Sequence, residues 1–188
     1  MTDQTPRPAL GAFLFLAALW TGALLFFAAA AGIVLRTSAT RSDGGLVNRA
    51  LLDALDVASL AAAATLLVLF FAANRGRPWG RVARAAALRL LAIGAVAAFV
   101  SLYLVTPEMV SLRQKTGAAF DLLASTDPVR RAWGRLHGLS SLTLVVRILC
   151  AAAAFVAGFS QIGRNAPPSE ASGAAAPDPD VSGPEESA

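Results

Sequence analysis

ALGAFLFLAALWTGALLFFAAAAGIVL, Ala9 to Leu35, runs for 27 residues without a charge. At a rise of about 1.5 Å per residue such a helix is about 40 Å long, more than the roughly 30 Å of hydrocarbon in a bilayer. A cleavable signal peptide carries an apolar core of only about 7–15 residues, so this run is expected to stay in the mature chain as a membrane span.

Three further runs meet the same length requirement. The second extends from about Ala50 to Ala73 and holds Asp53 and Asp56 near its start; the third extends from about Ala85 to Val105. The fourth, from about Ala132 to Ile162, contains His137 and Arg147. Lipid offers no partner to irregular backbone or to an open sheet edge, so each run is expected to be helical. The fold class that follows is an all-α integral membrane protein, a four-transmembrane-helix bundle with a disordered C-terminal tail. Residues 1–8 form an N-terminal tail, 9–164 the membrane domain and 165–188 the acidic tail, whose only large apolar residue is Val181. Such a segment buries too little apolar surface to offset its ordering entropy.

Composition agrees: 56% of the residues are apolar, 15% charged, and the mean hydropathy is +0.60. The formal charge of +4 is unevenly spread, because Arg164 and the tail behind it set five carboxylates against one arginine. The basic side chains gather at span ends, which is an orientation signal and a means of contact with lipid headgroups. No soluble domain is left to read a nucleic acid. The single cysteine, Cys150, lies in an apolar run and excludes both an internal disulfide and a multi-cysteine metal site.

The connections are polar. Arg36 to Arg49 contains Asp43-Gly44-Gly45, and Asn74 to Arg84 contains Gly76-Arg77-Pro78; both have the composition of turns. Pro107 to Arg131 mixes apolar and charged residues and is expected to hold an interfacial helix. Asp127 before Pro128 reads as an N-cap followed by a first-turn proline, so the last helix should begin there and be the longest. Four crossings put both termini on one side. The arginines packed between Arg75 and Arg89 favour the cytoplasm for that side.

Membrane helices associate through small residues. Gly11, Ala18, Gly22 and Ala29 form such a stripe in the first span; Ala87, Gly94, Ala98 and Ser101 do so in the third; Ser140, Ala151, Ala154 and Gly158 do so in the fourth. Charges inside a span are expensive, about 2.5–3.5 kcal/mol at the centre on insertion scales, and face the bundle. Arg147 is expected on one face with His137 and Ser140, and alternating helix direction brings Asp53, Asp56, Glu108, Arg113 and Arg135 to the same side of the membrane. Asp53 and Asp56 are three apart and share a face, so either is a candidate counter-ion for Arg147. The cluster has three readings: a structural ion-pair network, a transport or proton-relay site, or an arginine that snorkels to the surface. No catalytic, metal or cofactor set is expected, because Ser140 and Ser141 share a helix with His137 and lack an oxyanion site. Trp79 and Trp133 stand beside arginines at span ends, as interfacial tryptophans do, whereas Trp20 is mid-span and its indole N–H needs a partner.

The AALWTG stretch (17–22), Arg36 at the helix exit, TPEMVSLR (106–113) and RLHGLSSL (135–142) together resemble the transmembrane protein 205-like family, whose bacterial members are labelled domain of unknown function 4149. The resemblance covers about residues 10 to 160. It implies a four-helix membrane domain without an established activity, and matches that family's recurring positions at Trp20, Gly22, Pro107, Arg113, His137 and Ser140. AALWTG is also similar to the first helix of the copper resistance protein D family, but Phe13 stands where that family carries a histidine, which puts a copper or haem role in doubt. The functional expectation is a non-enzymatic inner-membrane protein of bacterial type with an accessory or assembly role, or else a small pathway for a solute, ion or metal. Its expected partners are membrane lipids, a second copy of itself or another membrane protein.

Overall fold

A computed structural model describes residues 7–39, 41–76 and 79–164. The tail 165–188, most of the segment 1–8, and Arg77-Pro78 of the second turn lie outside the described residues. Five α-helices follow in order: α1 (Arg7–Thr37), α2 (Arg41–Gly76), α3 (Arg81–Val100), α4 (Thr106–Thr116) and α5 (Pro128–Arg164). A π-turn, Ser101–Val105, joins α3 to α4 without a break, so the described residues hold four helices long and apolar enough to cross a membrane. α1 packs against α2 and α5, and α3 packs against the same two. The four therefore form a ring in which α2 faces α5 across the middle and α1 faces α3.

Two connections differ from expectation. Asp43-Gly44-Gly45 is not a turn but the first coil of α2. α1 ends at Thr37 and α2 starts at Arg41, and both the N–H and the hydroxyl of Ser38 donate to the carbonyl of Val34 (3.0 and 2.6 Å). A β-carbon on Gly44 would stand 2.9 Å from Ser38 Oγ and 3.3 Å from the Leu35 backbone, so glycine here permits close approach between helices. The second difference is at Pro107. Proline brings no N–H and disfavours helix in the residue before it, yet the helix continues, because the π-turn absorbs the mismatch. α4 is thus a continuation of the third span and not a separate interfacial helix. It stops at Gly117, whose φ of 57° suits glycine. The expected cap of α5 is present: Val129 N–H donates to Asp127 Oδ1 at 2.8 Å, and α5 is the longest helix at 37 residues.

The end of the ring near Arg7 is filled with rings and small side chains. Trp79 folds inward from the α2–α3 turn, held by its N–H to Asn74 Oδ1 (2.8 Å), and meets Phe13 and Phe70 edge-on at 5.6 and 5.0 Å. This corrects its expected place at the lipid interface: it is buried among protein side chains. Gly158 lets α5 touch α1, since a β-carbon there would come within 2.9 Å of Phe13. The stripe expected on α1 is also corrected. Gly11, Ala18, Gly22 and Ala29 are exposed, and α1 packs instead through Phe13, Ala17, Trp20 and Leu24. The stripes on α3 and α5 do face inward: Ala87, Gly94, Ala98 and Ser101, and Ser140, Ala151, Ala154 and Gly158, are all buried.

Candidate functional site

Apart from Gln161 near the end of α5, every buried polar side chain among the described residues lies between the middle of the bundle and its Thr37 end. At the centre is Arg147, 19 residues past Pro128 in a 37-residue helix. Its Nη1 donates to Asp56 Oδ1 across the ring, and both side chains are wholly buried. Because α2 starts at Arg41, Asp56 is 15 residues into its helix and stands nearly as deep as Arg147. The early α2 start removes the difference in depth that a span beginning at Ala50 would imply. Arg147 Nε also donates to the Thr143 carbonyl at 3.4 Å, back towards the helix start, as helical side chains lean.

Around this pair α1, α2 and the third span supply further groups. Trp20 of α1 donates its indole N–H to Ser59 Oγ of α2 at 3.1 Å. The absent side chain of Gly94 on α3 makes room for that indole, since a β-carbon there would lie 3.1 Å from Trp20 Cη2. Ser101, the first residue of the π-turn, lies beside the Asp56 carboxylate. Asp56 Oδ2, Ser101 Oγ and Arg147 Nη2 are all buried without a hydrogen-bond partner. One acceptor, one donor and one hydroxyl are therefore held together at mid-membrane depth, which is the donor set of a small polar site.

The other residues expected in this cluster are elsewhere. Asp53 is half-buried and pairs with Arg49 one turn away, Nε to Oδ2 3.7 Å. Glu108 and Arg135 are exposed. The Arg113 guanidinium lies over Gly45 and 5.6 Å from the centre of the Phe120 ring, tying α4 to the start of α2. His137 is exposed and stacks on Trp133, with ring centres 5.2 Å apart and planes 6° from parallel. Ten residues at about 100° each fall about 80° short of three full turns, so His137 leaves the face that Ser140 and Arg147 occupy. Pro107 is exposed beside the π-turn, Ser140 is buried, and Gly22 faces outward with nothing near its α-carbon. Among the described residues no three His, Cys, Asp or Glu side chains gather closely enough for a metal ion.

Two features of the structure have no counterpart in the reading of the sequence: the π-turn with Ser101, and a groove of about 830 Å³ on the outer surface between α2 and α3–α4. Pro107 was the available signal for both, because a proline within a helical run demands a local change of hydrogen bonding.

The geometry defines a multi-pass membrane protein with a closed polar centre. The family model described as Domain of unknown function (DUF4149) matches residues 15–118, more than half of the chain, and the chain belongs to that family. That stretch covers α1 from residue 15 onward and all of α2, α3 and α4, and contains Asp56 and Ser101, but not Arg147. Neither a curated protein nor a solved structure matches the chain.

Proposed function

We propose that this chain is a non-enzymatic protein of a bacterial inner membrane, serving as an accessory or assembly subunit for a membrane partner, with both termini cytoplasmic. The observation that carries this reading is the Arg147–Asp56 pair: it spans the ring from α2 to α5, and neither side chain has any solvent exposure. A path for solute would need that centre to open. The outward small-residue face of α1 and the long polar extensions of α2, α4 and α5 suit a protein that others pack against. The motif residues Trp20, Gly22, Pro107, Arg113, His137 and Ser140 support a closer relation to the transmembrane protein 205-like proteins.

In-membrane photocrosslinking from Gly22, followed by mass spectrometry, tests the reading: a defined membrane protein, or a second copy of this chain, should be captured. Capture of lipid alone would overturn it. The second reading, passage of a small solute or ion, draws on the unpartnered atoms of Asp56, Ser101 and Arg147. Proteoliposomes decide it, since flux above that of empty vesicles, abolished by Asp56→Leu, would replace the first reading with the second. Reporter fusions after Thr37, Gly76, Thr116 and Gly163 should alternate between compartments, with the one after Gly163 in the cytoplasm.

A further inference from the structure

The groove between α2 and α3–α4 changes chemistry along its length. At one end Arg49, Asp53, Ser111 and Gln114 line it; at the other, Val57 and Leu102 do. Arg49 to Val57 is eight residues of helix, about 12 Å, and Gln114 to Leu102 about 18 Å, so the groove runs from near the lipid headgroups towards the middle of the acyl region. It opens where Pro107 deprives the preceding π-turn of one backbone hydrogen bond.

The polar end carries two opposite charges that do not satisfy each other. Arg49 Nε and Asp53 Oδ2 are 3.7 Å apart, longer than the roughly 2.7–2.9 Å of a charge-assisted hydrogen bond. Asp53 Oδ1 is shielded from solvent, while the side chain as a whole is 37% exposed, so Oδ2 is the oxygen that a ligand can reach. A ligand suited to this pair presents an anion to the guanidinium, a hydrogen-bond donor with positive charge to the carboxylate, and an alkyl chain to Val57 and Leu102.

We propose that this groove is a binding site for a zwitterionic phospholipid with a primary-ammonium headgroup. The phosphate lies on Arg49, the ammonium donates to Asp53, and one acyl chain follows α2 down to Val57. A quaternary ammonium has the same charge but no N–H, so it cannot complete the contact with Asp53; a purely anionic headgroup meets Asp53 as a like charge. The proposal is independent of the role assigned to the bundle, since the groove lies outside the Arg147–Asp56 pair.

Delipidated full-length protein in detergent, titrated with phosphatidylethanolamine, phosphatidylcholine or phosphatidylglycerol of matched chains, provides the test by native mass spectrometry and thermal melting. The ethanolamine lipid should bind at least about ten-fold more tightly than the other two and raise the melting temperature by several degrees. Asp53→Asn should erase the preference while leaving the lipid-free melting temperature nearly unchanged, because a partly exposed i,i+4 pair contributes little. Val57→Trp, at a position 56% exposed, should fold normally and weaken binding of all three. Equal binding of ethanolamine and choline lipids, a preference for the anionic lipid, or a preference that survives Asp53→Asn would each overturn the proposal.

Discussion

The two halves of this bundle are built from different chemistry. Towards Arg7 the interior is Phe13, Phe70, Trp79 and a floor of alanines closed by Gly158; towards Thr37 it is Asp56, Ser101, Thr106, Ser140, Thr143 and Arg147. In lipid no hydrophobic force draws one helix to another, so the first half coheres by close van der Waals fit between small residues and rings. The second half coheres because its polar groups have no better place to go. The difference teaches that one fold can be insensitive to chemistry but sensitive to volume at one end, and the reverse at the other.

The largest expected effect breaks the polar half. Arg147→Leu or Asp56→Leu alone should lower unfolding free energy by about 3–5 kcal/mol, since each leaves a buried charge alone, whereas the double change should recover most of the loss. Reversible denaturation in mixed micelles, arranged as a double-mutant cycle, measures this; strictly additive single effects would mean that the pair is not coupled. Gly158→Leu attacks the apolar half. Its β-carbon alone would already crowd Phe13, and overpacking of this kind costs about 1–3 kcal/mol. Shortening the opposing ring with Phe13→Ala in the same chain should restore part of that loss, a rescue by volume where the one at Arg147 is by charge.

A smaller effect sharpens the boundary between the halves. Trp20→Phe removes the bond to Ser59 while keeping a ring near Gly94, and should cost about 0.6 kcal/mol, the average for interhelical side-chain hydrogen bonds in a membrane protein. Ser59→Ala should cost a similar amount, and the double change little more than either. The smallest effect belongs to Gly22→Leu. It faces away from both halves, so melting of the isolated chain in detergent should change by less than about 0.5 kcal/mol. A larger drop, with a change in apparent size on gel filtration, would place a second copy on that face.

Much of this architecture was legible in the residues. Run lengths and the absence of charge set four crossings; Asp127-Pro128 set the start of α5; the insertion penalty of an arginine made a carboxylate partner for Arg147 one of three readings, beside a relay site and a snorkelling side chain. What stayed hidden depended on angle and proximity. Glycine at 44 has the same one-letter identity whether it turns a chain or lets two helices touch. The small residues of α1 satisfy the rule for helix packing as well as Phe13 and Ala17 do, and only the positions of α2 and α5 decide between the two faces. Ten residues of α5 turn His137 away from Arg147, and arginine neighbours point Trp79 to the interface although an aromatic slot exists between Phe13 and Phe70. The π-turn leaves no composition signal beyond Pro107, so Ser101 could be recognised as an inward small residue but not as a neighbour of Asp56.

The 91 residues that separate Asp56 from Arg147 also have a meaning in time. A ribosome adding about 5–20 residues per second needs roughly 5–18 seconds to make that interval. Throughout it, the first helical hairpin sits beside the insertion machinery with a carboxylate whose counter-ion has not been synthesised. The last helix then carries its central arginine into a membrane where the carboxylate is already in place. Charge therefore sets an order in this chain: the acid of the pair is made first, and its base 91 residues later.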